Sequence, residues 1–196
     1  MIDTVLFDLD GVIRHFDPEL TAMTERRHGI APGTIAQIAF AGSLLERLTT
    51  GRLRRADWIT GVGEELGSQE AAEEWGRQRA RVDPAMLALA GELAAAGIRT
   101  AILTNGTDTI PTEVAELGLD SHFDPIFNTA EIGFAKPDAR AFAHVLEALG
   151  CEPGTVLFTD DSRVNIHGAA ELGIHSHHFR DAASLRAELQ TRGILA

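Results

Sequence analysis

The chain has 196 residues, 44% of them apolar, and carries 29 acidic against 17 basic side chains for a formal charge of −12 at pH 7. That length and apolar content suffice to bury a full core in one domain, or in one domain with a modest insertion. A net-negative surface repels polyanions and argues against nucleic acid as a partner. The single cysteine, Cys151, permits no internal disulfide and fits a reducing, cytoplasmic compartment. Met1-Ile2-Asp3-Thr4 has no basic flank and no long apolar stretch after it, so it does not read as a signal peptide. The Ala-rich residues 86–98 contain Glu92 and fall short of the roughly 20 residues that cross a bilayer, so no membrane span is expected.

In chain order, Thr4-Val5-Leu6-Phe7 is a short apolar, β-branched run that predicts a buried strand delivering Asp8 and Asp10 to its tip. Residues 15–82 change pattern: helical periodicity, glycine punctuation at Gly29, Gly42, Gly51, Gly61, Gly63 and Gly67, and no convincing strand. They read as an all-helical insertion into a core made of residues 1–14 and 83–196. Inside it, Trp58 and Trp75 are expected to fill a small core. Arg47, Arg52, Arg54 and Arg55, interleaved with Glu46 and Asp57, are expected on a solvated helix face.

From Pro84 onward helix and strand alternate. Helices are predicted over 84–96, 110–117, 139–149, 165–172 and 182–190, several closed by Gly97, Gly118, Gly150 and Gly173. Strands are predicted over 98–103, ending at Thr104-Asn105-Gly106; over 125–127, ending near Asn128; over 155–158, ending at Thr159-Asp160-Asp161-Ser162; and over 174–179. The alternation defines an α/β fold, a three-layer, Rossmann-like parallel sheet core with an inserted all-helical segment. Ligands in such sheets bind outside the carboxyl ends of the strands, where all the polar tips gather.

Two aspartates two residues apart in a partly buried cleft raise each other's proton affinity unless a cation compensates. Asp160 and Asp161 add carboxylates from a second strand of the same sheet, and an all-oxygen donor set suits Mg²⁺. Alone, Asp160-Asp161-Ser162 is a turn or helix cap; opposite the first strand, the metal reading prevails. Thr104-Asn105-Gly106 follows a parallel-type strand, so it reads as a hydroxyl and backbone N–H cradle for phosphate oxygens and not as a hairpin turn. Asn105-Gly106-Thr107 also matches a glycosylation acceptor, which a cytosolic chain does not use. Lys136, ahead of Pro137 and Asp138 at a helix start, supplies a point charge for an anionic nucleophile or phosphoryl group. His175, His177 and His178 lack a supporting carboxylate or cysteine and are not expected to bind metal.

The order Asp-x-Asp, Thr-Asn, Lys, Asp-Asp at the ends of successive α/β units resembles the haloacid dehalogenase-like hydrolase superfamily, over residues 1–14 and 84–180. Phe7-Asp8-Leu9-Asp10-Gly11-Val12, Gly133-Phe134-Ala135-Lys136-Pro137-Asp138 and Asp160-Asp161 with Asn165 look like its phosphatase branch, with residues 15–82 as a small helical cap. The resemblance implies a Mg²⁺-dependent phosphatase acting on a small-molecule phosphate monoester. Asp8 would be the nucleophile forming an aspartyl-phosphate, and Asp10 the general acid and base. Mg²⁺ would be held by Asp8, the backbone carbonyl of Asp10, and Asp161, with Asn165 supporting Asp161. Asp160 would orient Lys136 or a metal-bound water, while Thr104 and the Asn105-Gly106 backbone would fix phosphate oxygens.

No specific motif marks the insertion; Arg14 at its edge, and His15 and Arg47 within it, are only candidate substrate contacts. A dehalogenase shares the nucleophile but needs neither Mg²⁺ nor a proton donor, so Asp10 and Asp161 argue for phosphate. A phosphomutase shares every core residue. A signalling receiver collects similar groups but carries its phosphoacceptor on the third strand and has no helical insertion. A non-catalytic, ligand-sensing regulatory protein is the further alternative.

Overall fold

The computed structural model describes residues 1–196. Strand β1 (Thr4–Phe7) leads to β2 (Arg14–His15), then to helices α1 (Pro18–Arg27), α2 (Thr34–Ala39), α3 (Gly42–Thr49), α4 (Arg55–Leu66) and α5 (Gln69–Gly76), and to β3 (Arg81–Val82). The chain continues through α6 (Pro84–Ala95), β4 (Arg99–Thr104), α7 (Ile110–Glu116), β5 (Ile126–Asn128), α8 (Thr129–Ile132), α9 (Ala139–Leu149), β6 (Val156–Asp160), α10 (Arg163–Glu171), β7 (His175–His178) and α11 (Ala182–Thr191).

Five strands form one sheet in the order β5-β4-β1-β6-β7, and every pair is parallel. All four residues of β1 are buried, as the central strand of a doubly covered sheet requires. The period-two alternation sorts the strands' side chains between two layers. Val5, Phe7, Ile102 and Leu157 pack on one side against Met86 and Leu89 of α6 and Leu185 and Leu189 of α11. Leu6, Leu103, Val156 and Phe158 pack on the other side against Phe142 and Val145 of α9 and Ala169 of α10. The three-layer α/β expectation is met.

β1 lies between β4 and β6, so the chain first builds outward on one side of β1 and then returns to the other. This reversal opens a crevice at the carboxyl ends of β1, β4 and β6. Asp8 directly follows β1, Thr104 ends β4 and Asp160 ends β6.

Two features depart from the expectations. Residues 15–82 do contain strand: β2 and β3 pair antiparallel through Arg14↔Val82 and His15↔Arg81, and Asp83 N–H donates to the Ile13 carbonyl at 2.9 Å. Two-residue strands are too short to show periodicity, yet this ribbon carries α1–α5 between its arms. The four arginines also do not share a helix face. Arg47 lies in α3, Arg52 in the following turn, Arg54 caps α4 and Arg55 begins it. Trp58 fills the small core as expected, packed with Ala39, Leu48, Val62 and Ala72, with Trp75 edge-on at 5.0 Å between ring centres. No helix is long and apolar enough to cross a membrane.

Candidate active site

Lys136 organises the crevice floor. Its side chain is 1% exposed, and Nζ donates to Asp8 Oδ1 at 2.7 Å, Asp160 Oδ2 at 2.8 Å and the Leu103 carbonyl at 2.8 Å. All three ammonium protons are thus engaged. The segment that brings Lys136 here is clamped by Asn105, whose amide accepts from Lys136 N–H at 2.8 Å and donates to the Lys136 carbonyl at 2.9 Å. Asn105 therefore fastens the lysine loop with its side chain, leaving only its backbone for a ligand.

Asp160 is fully buried. Its Oδ1 accepts from Ser162 N–H at 2.7 Å, and the Asn165 amide spans both oxygens at 3.0 and 3.2 Å. This corrects one expectation: Asn165 supports Asp160, not Asp161, because the first turn of α10 sits over the carboxylate that ends β6. Asp161 is exposed, with its carboxylate against Gly11. Gly11 has φ +90°, and a Cβ there would lie 2.3 Å from Asp161 Oδ2, so only glycine lets the two loops meet.

Asp8, Asp160 and Asp161 each present an oxygen, all within 4.8 Å of one another. Burial pushes the Asp8 carboxyl up to about 7; Lys136 opposes this and Asp160 reinforces it. Asp161, exposed as a residue but with its carboxylate partly shielded from solvent, is raised by that desolvation and then by Asp160. Burial also works against the charged Lys136, but Asp8 and Asp160 outweigh it and hold its pKa above the ordinary value. Three carboxylates against one ammonium leave a charge deficit, and the donors are all oxygen. The residues present fit a hard divalent cation such as Mg²⁺.

Asp10 stands outside this cluster, its carboxylate held by Arg14 Nε at 2.6 Å and 41% exposed. Thr104 is buried at the end of β4. Gly106 is sterically required, since a Cβ would lie 2.4 Å from Ile110 Cγ1 and 2.8 Å from Asn128 Oδ1. Above these loops opens a cleft of about 1480 Å³, reaching from Asp10, Gly106 and Lys136 to Phe40, Trp58 and Trp75 of the helical insertion.

Of the three candidate contacts, only Arg14 lines the cleft, and it is occupied by Asp10 and Glu113. His15 and Arg47 are exposed and do not line the cleft. His177 Nδ1 pairs with Thr159 Oγ1 at 3.1 Å and His178 Nε2 with the Asp161 carbonyl at 3.0 Å, and no histidine belongs to the oxygen cluster. Sequence reading missed Glu113, the second partner of Arg14. A glutamate on an amphipathic helix carries no signal that sets it apart from its solvated neighbours.

The family model for haloacid dehalogenase-like hydrolases matches residues 2–173, and the chain belongs to that family. It is 31% identical over 149 residues to the phosphoserine phosphatase of Thermus thermophilus, covering 74% of this chain and 58% of that one. It superposes with TM-score 0.74 on a HAD family enzyme of Bacteroides thetaiotaomicron in complex with magnesium and inorganic phosphate, at 23% identity and covering 92% and 95% of the two chains. With the L-2-haloacid dehalogenase of Xanthobacter autotrophicus the TM-score is 0.67 and the identity 27%, over 97% of this chain and 83% of that one. The chain spans 17%, 37% and 58% of the length of the first three curated relatives it matches.

Proposed function

We propose that this hydrolase is a Mg²⁺-dependent phosphatase that cleaves a small-molecule phosphate monoester through an aspartyl-phosphate on Asp8. The observation that carries the reading is the cluster of Asp8, Asp160 and Asp161 around a single buried lysine. Its charge deficit suits a divalent cation and a phosphoryl group, which compensate each other in the same crevice. When bound, Mg²⁺ would be held by Asp8, the Asp10 carbonyl and Asp161, and would offset the negative charge of the phosphoryl oxygens.

Lys136 takes up Asp8 Oδ1, and Oδ2 accepts no hydrogen bond from the protein, so Oδ2 is the attacking atom. As the Oδ2–P bond forms and the bond to the ester oxygen breaks, Asp10 gives its proton to the leaving alkoxide. Asp10 then takes a proton from the water that attacks phosphorus, the P–Oδ2 bond breaks, and inorganic phosphate and the free Asp8 carboxylate result. Thr104 and the Asn105-Gly106 backbone hold the phosphoryl oxygens in line. Asp160, locked by Asn165 and Ser162, fixes Lys136. Residues 15–82 act as a cap over this floor and select the organic group.

The likeness to a haloacid dehalogenase favours a second reading, in which Asp8 displaces halide from carbon. That reaction has no use for the proton donor Asp10 or for the cation deficit around Asp161. A phosphomutase shares the core and differs in passing the phosphoryl group to a second hydroxyl.

The test is phosphate release from 4-nitrophenyl phosphate, with and without Mg²⁺, for the parent and Asp8→Asn. Release should require Mg²⁺ and fall by at least about a thousandfold in the variant. Chloride release from a 2-chloro acid without any phosphate release, or an Asp8→Asn protein as active as the parent, overturns the proposal. Phosphoryl transfer to an added sugar hydroxyl in place of release to water marks a mutase.

A further inference from the structure

Arg14 occupies a position that the mechanism above does not explain. Its side chain is 4% exposed, and burying a guanidinium is costly unless it is fully paired. The fork faces two carboxylates: Nε donates to Asp10 Oδ1 at 2.6 Å, Nη2 to Asp10 Oδ2 at 3.3 Å, and Nη1 to Glu113 Oε2 at 2.7 Å. The far arm continues. Glu113 Oε1 accepts from Thr109 Oγ1 at 2.6 Å, Thr109 Oγ1 shares a hydrogen bond of 2.8 Å with Thr107 Oγ1, and Asn128 Nδ2 donates to the Thr107 carbonyl at 2.8 Å. The backbone is tied as well, with Arg14 N–H donating to the Leu9 carbonyl at 3.0 Å and the Arg14 carbonyl accepting from Gly11 N–H at 2.8 Å.

A planar fork that grips both oxygens of a carboxylate fixes the plane of that carboxylate, which a point-charge lysine does not. Anchoring the same guanidinium to Glu113 of α7 ties that plane to the loop carrying Thr104 and Gly106, where the phosphoryl group is held. We infer that Arg14 is a positioning residue that sets the orientation of Asp10 towards the leaving oxygen, with Glu113 as its anchor: Oδ1 is held at 2.6 Å, and Oδ2, on the long 3.3 Å arm, is the oxygen that carries the proton. The inference rests on the phosphatase reading. It assigns Arg14, a candidate substrate contact by sequence, to the acid–base step instead.

The experiment separates positioning of a proton donor from mere structural support through the leaving group. kcat/KM covers the steps up to the first irreversible one, here phosphoryl transfer to Asp8. An alkyl phosphate needs a proton on its departing oxygen, whereas 4-nitrophenolate departs without one. Arg14→Met should lower kcat/KM for an alkyl phosphate by about 10- to 100-fold, a share of the roughly 10²–10⁴ that general acid–base catalysis supplies. The loss with 4-nitrophenyl phosphate should stay within about threefold of the parent, because its departure does not use the proton. Asp10→Asn should lower kcat/KM more for the alkyl phosphate than for 4-nitrophenyl phosphate, and Arg14→Lys should recover only part of the Arg14→Met loss.

Equal losses with both esters, or no loss, overturn the inference. Should Arg14→Met fail to fold, Glu113→Ala carries the test, with the same selective loss expected in weaker form and the same outcomes overturning it. A parent that hydrolyses neither ester in Mg²⁺ refutes the phosphatase reading itself, a result distinct from an active parent whose variants lose both substrates alike.

Discussion

Lys136 is the residue on which the charge balance of the crevice turns. Its ammonium is buried, makes three hydrogen bonds and neutralises part of a three-carboxylate cluster. Lys136→Met keeps the length and apolar stem but leaves Asp8 and Asp160 without a counter-charge. Breaking a buried pair in this way costs about 3–5 kcal/mol. Urea unfolding without divalent ions should show a loss of that order, and added Mg²⁺ should restore part of it by supplying positive charge to the same oxygens. A variant as stable as the parent without Mg²⁺ contradicts the proposed role. The strand-tip positions of Asp8, Thr104 and Asp160 were legible because a parallel sheet gathers its carboxyl ends, whereas Lys136 lies in the loop ahead of α9 and was placed by motif order. The partners of the site residues were not legible. Asp160 and Asp161 are adjacent, and spacing alone could not tell which of the two Asn165 would meet. Arg14 and Glu113 lie 99 residues apart, so nothing local in the sequence links them.

At the scale of elements, strand and helix ends place the site. α9 begins directly after Lys136-Pro137: Asp138 caps it, Oδ1 accepting from Arg140 N–H at 2.9 Å, and Gly150 closes it with φ +64°. The Arg140 side chain and then its backbone N–H hold the Asp138 carboxyl down at about 2, against an ordinary 3.8. A depressed pKa means that the folded state favours the ionised form, so this stabilisation is complete above the unfolded value and is lost as pH falls through the folded one. Asp138→Ala should cost about 1 kcal/mol at neutral pH. In thermal unfolding, the gap in Tm between parent and variant should close as pH drops from about 4 towards about 2; a gap that persists unchanged contradicts the cap assignment. The longer elements were readable from apolar period and glycine stops, as α9 shows. The ribbon of β2 and β3 and the four-residue α8 were not, because periodicity needs more residues than they contain.

Over the whole molecule, a parallel sheet that reverses its building direction beside β1 concentrates carboxylates at one edge, in a chain already at −12. Burial of Asp8 beside a second carboxylate makes the metal-free protein sensitive to pH. Asp8 is raised from 3.8 to about 7 by burial and by Asp160, with Lys136 opposing. Between those values the folded chain holds a proton that the unfolded chain has released, so the metal-free protein loses stability as pH rises from about 4 to about 7. A divalent cation binds the ionised carboxylate and must displace that proton when pH is below about 7. At a fixed Mg²⁺ concentration, the rise in Tm should therefore be small at pH 5.5 and larger at pH 8. An ion at a hundred times its Kd contributes about 2.7 kcal/mol. Calorimetric scans of the parent and Asp8→Asn at both pH values, with and without Mg²⁺, check this. In the variant the Asp8 carboxyl is gone while Asp161, also raised, remains, so its Mg²⁺ response should be weaker and less dependent on pH than the parent's. Equal shifts in the parent at pH 5.5 and pH 8 would show that Asp8 is not among the groups the cation engages, and would remove the cation from the proposed phosphoryl-transfer step.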